Sequence, residues 1–187
     1  MRRIAILDAC VLHQARTRDL LLQFAVDGFY QAKWSTKIED EFVRSLETKR
    51  PDLAGKLEHL VTHMRVAIPD WESSSSDKLE APLKHTDPGD RHVLGAAIAC
   101  EATHLVTWNR KHFSDPEAAN FSVEITDPDL FLTTLLQSNF TKGLTSIRTT
   151  RTRLRKPSLT AAEYCESLKP IRLVRLAGLI EPFLSQI

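Results

Sequence analysis

Asp8 stands directly after the apolar run Ile4-Ala5-Ile6-Leu7, so a carboxylate closes what reads as a short buried strand. Open α/β sheets bind their ligands at the carboxyl ends of strands, which makes this a position for chemistry. The pattern returns further on. Glu41 lies near the start of a helix that follows a second apolar stretch, Asp90 opens another helix, and the strand-like Leu105-Val106-Thr107 ends in Trp108-Asn109. Two carboxylates about 5 Å apart repel by about 3 kcal/mol at an effective dielectric near 20. Several acids gathered at one sheet edge therefore call for a cation. A divalent metal relieves the repulsion, acidifies a bound water and polarises a phosphoryl oxygen.

Each acid also has a plain structural reading. An aspartate after a strand caps helices and makes turns. Glu41 is one of three successive acids, Glu39-Asp40-Glu41, near a helix start where the dipole favours negative charge. In Asp87-Pro88-Gly89-Asp90, Asp87 can be an N-cap and Asp90 its partner three residues on. Against three separate structural roles stands their common location at strand-to-helix junctions, which converge on one edge of a right-handed parallel α/β unit.

The elements that must position these acids alternate along the chain. Residues 4–7, 29–35, 66–68, 104–107 and 121–125 read as strands. Helical apolar spacing runs over 17–26, stopped by Asp27-Gly28, and over 36–46. A helix entered at Pro51 carries Leu53, Leu57, Leu60 and Val61, an alanine-rich helix follows Asp90, and another covers 127–136. Ser73 to Ser76 reads as a flexible surface loop. Thr160-Ala161-Ala162-Glu163 is a capping-box pattern, and Leu173, Leu176, Leu179 and Ile180 share an apolar helix face that must dock on the main domain or on a partner.

Composition sets the outer limits. The 187 residues, 42% apolar and 26% charged, suit a soluble protein of one ordinary domain with an appendage. No apolar run approaches a membrane span and no signal-peptide pattern opens the chain, which predicts a cytoplasmic protein. Three cysteines without CxxC spacing predict neither a disulfide framework nor a zinc knuckle, only small buried or half-buried side chains. The formal net charge of +1 hides an asymmetry: no acid occurs between Leu130 and Ala162, where Lys142, Arg148, Arg151, Arg153, Arg155 and Lys156 fall. Such a segment is either a solvated helix face or a hold on a polyanion.

The segments Ile4–Asp8, Ser35–Glu41, Asp87–Leu94 and Val106–Phe113 resemble, in order and spacing, the motifs of PIN domains, the metal-dependent ribonucleases that include VapC-type toxins. The likeness spans roughly residues 3–136, and the tail from Pro157 through Tyr164 resembles an extension of one VapC-like subgroup. It implies a PIN-like three-layer α/β sandwich around a mainly parallel sheet of about five strands, with extra C-terminal helices. The corresponding domains are a nuclease unit over 1–137 and a basic helical extension over 138–187. It further implies that Asp8, Asp90 and Glu41 hold Mg²⁺ or Mn²⁺, Glu41 being preferred to Glu39 because it lies six residues after Ser35. Where many relatives have a fourth acid this chain has Asn109, which can orient water, and Asp115 can supply the missing carboxylate. Thr107 would hydrogen-bond a carboxylate or metal-bound water.

The implied reaction is in-line hydrolysis of an RNA phosphodiester, with Arg91, Arg110, Lys111 and the basic tail as phosphate contacts. Trp108 either stacks on a base or packs at the sheet edge. The implied partners are an RNA substrate, an antitoxin protein and a second copy of the chain. The rival within the same fold is a degenerate PIN scaffold that binds RNA or protein without cutting. A haloacid-dehalogenase-like phosphatase needs an acid two residues after Asp8, where Cys10 stands. A dinucleotide-binding module needs a glycine-rich loop that is missing. Nucleophilic catalysis by Cys10 would require His13 beside it.

Overall fold

The computed structural model describes residues 3–53 and 55–187. The chain runs β1 (Ile4–Leu7), α1 (Ala9–Leu12), α2 (Ala15–Val26), β2 (Gln31–Lys33), α3 (Thr36–Lys49), α4 (Leu57–Ala67), α5 (Asp77–Glu80), α6 (Arg91–Ala99), β3 (His104–Val106), α7 (Asp115–Ala119), β4 (Glu124–Thr126), α8 (Pro128–Ser138), α9 (Phe140–Arg153), α10 (Ala161–Leu168) and α11 (Val174–Ile180). Four strands pair in the order β2-β1-β3-β4, all parallel. The path from β1 to β2 runs one way across the sheet and the path from β2 to β3 runs back the other way. Right-handed crossovers therefore put α2 and α6 on opposite faces, and the strand order reverses between β1 and β3. Ala5, Ile6 and Leu7 of β1 are fully buried, as expected of a strand covered on both faces.

The expected strand at 66–68 is instead the end of α4. Leu57 and Met64 are buried two helical turns apart while Val66 is 71% exposed, so the helical period outlasts the short β-like run. The fifth place in the sheet is held by a single parallel bridge between Trp34 and Glu72, with Trp34 donating to the Trp71 carbonyl at 2.9 Å and Ser73 to the Trp34 carbonyl at 2.9 Å. The serine run is likewise no free loop. Ser73 is buried and its hydroxyl donates to the Ala96 carbonyl at 2.8 Å, and a Cβ on Gly95 would sit only 2.0 Å from Ser75 Oγ. Gly95 lets this segment close on α6. At the other turn read from sequence, Gly28 takes a left-handed conformation (φ +75°) and ends α2. Residues 121–123 precede β4 as a turn, shortening that strand to Glu124–Thr126.

The C-terminal helices dock on the main domain. In α9, Leu144 and Ile147 are buried, and Ser146 donates to Asp27 Oδ2 at 2.6 Å, tying α9 to the end of α2. Thr150 and Tyr164 share a hydrogen bond of 2.9 Å between α9 and α10. The capping box at Thr160 and Glu163 forms as its sequence predicts. Leu173, Leu176 and Ile180 are buried, and Leu179 packs against the core. Buried Asp129 of α8 accepts the backbone N–H groups of Arg175 and Leu176 at 2.8 and 2.9 Å, meeting the free donors and dipole of α11. Removing that carboxylate orphans two donors, a loss of about 2 kcal/mol. Asp129→Ala is expected to lower the melting temperature by about 4–8 °C, with Asp129→Asn closer to wild type; a calorimetric scan in which alanine changes nothing would detach α11 from this anchor.

Candidate active site at the C-terminal edge of the sheet

Asp8 emerges where the strand order reverses. Its backbone N–H continues the β1–β3 ladder by donating to the Val106 carbonyl at 3.1 Å, which sets the side chain against the end of β3. The buried carboxylate then receives Thr107 Oγ1 at 2.6 Å and Cys10 Sγ at 3.0 Å, both on Oδ2. Oδ1 accepts no hydrogen bond among the described residues. Thr107 Oγ1 also accepts the Asn109 backbone N–H at 2.9 Å, so one hydroxyl links Asp8 to the turn that carries Asn109. Cys10 is bound up in the same corner. Burial first, and the charge of Asp8 second, push its thiol up to about 12. His13 packs edge-on to Phe42 instead of approaching it, which removes the nucleophilic reading of Cys10.

Asp90, not Asp87, is the N-cap residue of α6, which starts at Arg91, and its side chain makes no capping bond. Asp87 forms the local turn, accepting the Gly89 N–H at 2.9 Å. The Asp90 carboxylate instead meets His112 Nδ1 at 2.9 Å. Burial holds Asp90 above its ordinary value; the His112 bond opposes this, and the nearby charge of Asp8 adds to it. The two aspartates thus sit within each other's field. Their loop is clamped from behind by Glu117, which accepts His85 N–H at 3.1 Å, Thr86 N–H at 2.9 Å and the Thr86 hydroxyl at 2.6 Å. Burial raises Glu117, but these donors outweigh it and leave the group below the usual range. The Asp87 N–H donates to the His112 carbonyl at 2.7 Å, fixing the Asp90 loop and the His112 turn to each other.

The acids of α3 part company. Glu39 is buried, accepts Trp34 Nε1 at 3.1 Å and is held by the Arg65 guanidinium, which lies 4.7 Å over Trp71 in a stack with Trp34. That carboxylate is spent on packing. Glu41 is 36% exposed at its side chain, with Oε1 3.3 Å from Nε2 of the buried His92 on α6. The contact is within ion-pair range but off hydrogen-bond geometry, and neither ring nitrogen of His92 has a hydrogen-bond partner. Among the described residues no three His, Cys, Asp or Glu side chains stand close enough to hold a metal ion together. The charge of Asp8 reaches Asp90, and Glu41 lies on α3 beside His92.

The remaining residues named from sequence divide further. Asp115 begins α7 and lies 3.7 Å from Arg110 across a cleft of about 480 Å³ lined also by Glu124 and Leu130, apart from the acid pair. Arg91 donates to the Thr86 carbonyl at 3.3 Å, supporting the Asp90 loop. Lys111 is exposed. Trp108 has one ring face covered by the Arg172 guanidinium at 4.3 Å, and its backbone N–H donates to Cys10 Sγ at 3.2 Å. His112 and His92 went unassigned in the sequence, because their roles depend on a single 3₁₀ turn (Arg110–His112) and on the docking of α6 against α3. The basic segment of α9 lies against α2. Lys142 covers the Phe29 ring at 5.1 Å and Arg151 donates to the Leu159 carbonyl at 2.7 Å.

A four-stranded parallel sheet with acids at its carboxyl edge and many helices packed around it is consistent with a PIN-like α/β sandwich. A PIN domain family model matches residues 5–111, more than half of the chain, and the chain belongs to that family. The VapC50 C-terminal domain model matches residues 128–182, which joins α8 to the C-terminal helices and makes the protein VapC-like, in a family of ribonuclease toxins. PIN domains generally depend on divalent metals. No curated protein and no solved structure matches the chain significantly.

The donor set suits such an ion. Hard carboxylate oxygens, one of them uncommitted on Asp8, are what Mg²⁺ and Mn²⁺ accept, and Mg²⁺ is commonly held by one or two carboxylates with water completing its shell. Ten dissociation constants of Mg²⁺ or Mn²⁺ should stabilise wild type by about 1.4 kcal/mol, raising the melting temperature by about 3–5 °C, and Asp8→Asn far less. Glu39→Gln, by contrast, is expected to lower the melting temperature without metal and to keep the metal-induced rise. Equal metal shifts in wild type and Asp8→Asn would sink this reading of the pair.

Proposed function

We propose that this protein is a metal-dependent endoribonuclease and the toxin of a toxin–antitoxin pair, with Asp8 and Asp90 holding Mg²⁺ or Mn²⁺ at the sheet edge. The observation that carries the proposal is that Thr107 fixes one oxygen of Asp8 at 2.6 Å and His112 meets one oxygen of Asp90 at 2.9 Å, at the carboxyl edge of the sheet. When bound, the cation would acidify water and polarise a phosphoryl oxygen. Thr107 keeps Asp8 in one rotamer, and His112 does the same for Asp90. Glu41 takes a proton from the attacking water as its oxygen bonds to phosphorus in line with the breaking P–O ester bond. Asn109, held by its N–H to Thr107, orients that water. Arg110 and Lys111 receive substrate phosphate at the rim.

The family match supports RNA as substrate and an antitoxin as partner; the antitoxin would silence the enzyme by setting a basic side chain against the acid pair. The VapC-like assignment supports a place in the cytoplasm; no helix among the described residues is long and apolar enough to cross a membrane. Incubating the purified protein with cellular RNA and Mn²⁺ should yield discrete cut ends. Asp90→Asn and Glu41→Gln should each reduce the cleavage rate on the order of 100-fold or more while keeping the wild-type melting profile without metal. RNA bound but left intact by wild type would favour the degenerate scaffold, for which Asn109 in place of an acid is the supporting feature. Cleavage at an unchanged rate in Asp90→Asn would remove that residue from the reaction.

A further inference from the structure

We propose that the C-terminal helices complete a track for the phosphate backbone of single-stranded RNA, in a groove they form with the loop after β3; the choice of RNA rests on the function proposed above. The groove has a volume of about 720 Å³. Arg110 and Lys111 line it from the PIN side, and Lys169, Arg172 and Arg175 line it from the C-terminal side. Three of these five cations have carboxylate partners, Arg110 with Asp115, Lys169 with Glu166 and Arg175 with Asp127, while Lys111 and Arg172 have none among the described residues. The two carboxylates that line the groove, Asp127 and Asp129, also serve local backbone donors. Asp129 is spent on the Arg175 and Leu176 backbone N–H groups, and Asp127 caps α8 through the Leu130 N–H at 2.8 Å while lying 3.7 Å from Arg175.

Arg172 is the best formed of these contacts. Its backbone is left-handed (φ +69°), a conformation that a non-glycine residue adopts at a cost. That conformation presents the guanidinium to the Trp108 indole at 4.3 Å. Stacking fixes the guanidinium plane by cation–π attraction, while its N–H edge bonds no acceptor among the described residues, an arrangement suited to bidentate phosphate. The groove also leads to the acids. Asn109 lines it, and the Asn109 N–H is joined to Asp8 through the single hydroxyl of Thr107. An RNA strand must reach that centre to be cut, and its phosphates need cations beside a pair of carboxylates that repels them. An acidic protein segment could satisfy the same cations, but has no need to approach the centre.

The test is binding of a short labelled single-stranded RNA to the full chain in EDTA, across a salt series. Each phosphate contact on a single strand contributes about 0.7 to the log–log salt slope, or about fivefold in affinity at 0.1 M salt. The triple variant Lys169→Gln/Arg172→Gln/Arg175→Gln is expected to bind about 100-fold more weakly with a slope shallower by about 2. Should the triple variant fold poorly, the double variant Lys169→Gln/Arg175→Gln serves instead, with an expected loss of about 25-fold and a slope shallower by about 1.4. Wild-type affinity and slope in a folded double variant would overturn the track. So would poly-glutamate displacing the RNA as well as unlabelled RNA does at equal charge. RNA bound through the groove but never cut with metal present would leave the track standing and remove the nuclease; RNA cut at normal rates by a variant with unchanged binding would remove the track alone.

Discussion

The carboxylate of Asp8 is buried at the end of β1, and the rest of the site follows from what it takes to keep it there. A buried charge is tolerated when donors surround it. Here a threonine just after β3 and a thiol two residues along supply them, at 2.6 and 3.0 Å. The threonine can do so only because β1 and β3 are parallel neighbours in register, Leu7 opposite Val106, so that the residues after each strand end side by side. Asp90 then brings a second negative charge into the same field, and its loop is held by bonds from outside the strand ends. Glu117 grips residues 85–86, and His112 grips Asp90 itself. Two carboxylates are thereby held within reach of one another's charge by hydrogen bonds, an arrangement that a cation would relieve.

The contrast between Glu39 and Glu41 shows how position on one helix separates structure from chemistry. Two residues apart, they point to different sides of α3. One closes a buried cluster with Trp34, Trp71 and Arg65, where losing it would expose packing and an uncompensated guanidinium. The other is partly exposed, with Oε1 3.3 Å from Nε2 of the buried His92.

Much of this was legible before any coordinates. The run Ile4 to Leu7 marked β1, Asp27-Gly28 marked the end of α2, and the capping box at Thr160 marked α10, because each depends on local backbone chemistry that a sequence states directly. The strand expected at 66–68 misled because three alternating apolar residues fit a helix end as well as a strand. The acids Asp8 and Asp90 were visible as junction residues, whereas His112, His92 and Glu117 were not, since their contacts are made across turns and between helices that no spacing encodes. The acid-free stretch 130–162 is plain in the sequence, whereas Lys169, Arg172 and Arg175, ordinary in sequence, are brought to the groove beside the loop after β3 only by the docking of the last helices.

The C-terminal helices are tied to the sheet edge at two points: α11 is anchored on α8 through Asp129, and Arg172, just before its start, reaches back to Trp108. What holds the account together is one divalent ion between Asp8 and Asp90. The most direct measurement loads the protein with Fe²⁺ in place of Mg²⁺ and adds peroxide, so that radicals born at the ion cut the nearby backbone. Cuts clustered beside residues 8, 90 and 107–109, suppressed by excess Mg²⁺ and lost in Asp8→Asn, are the expected result. Cuts scattered elsewhere, or unchanged in that variant, would contradict it.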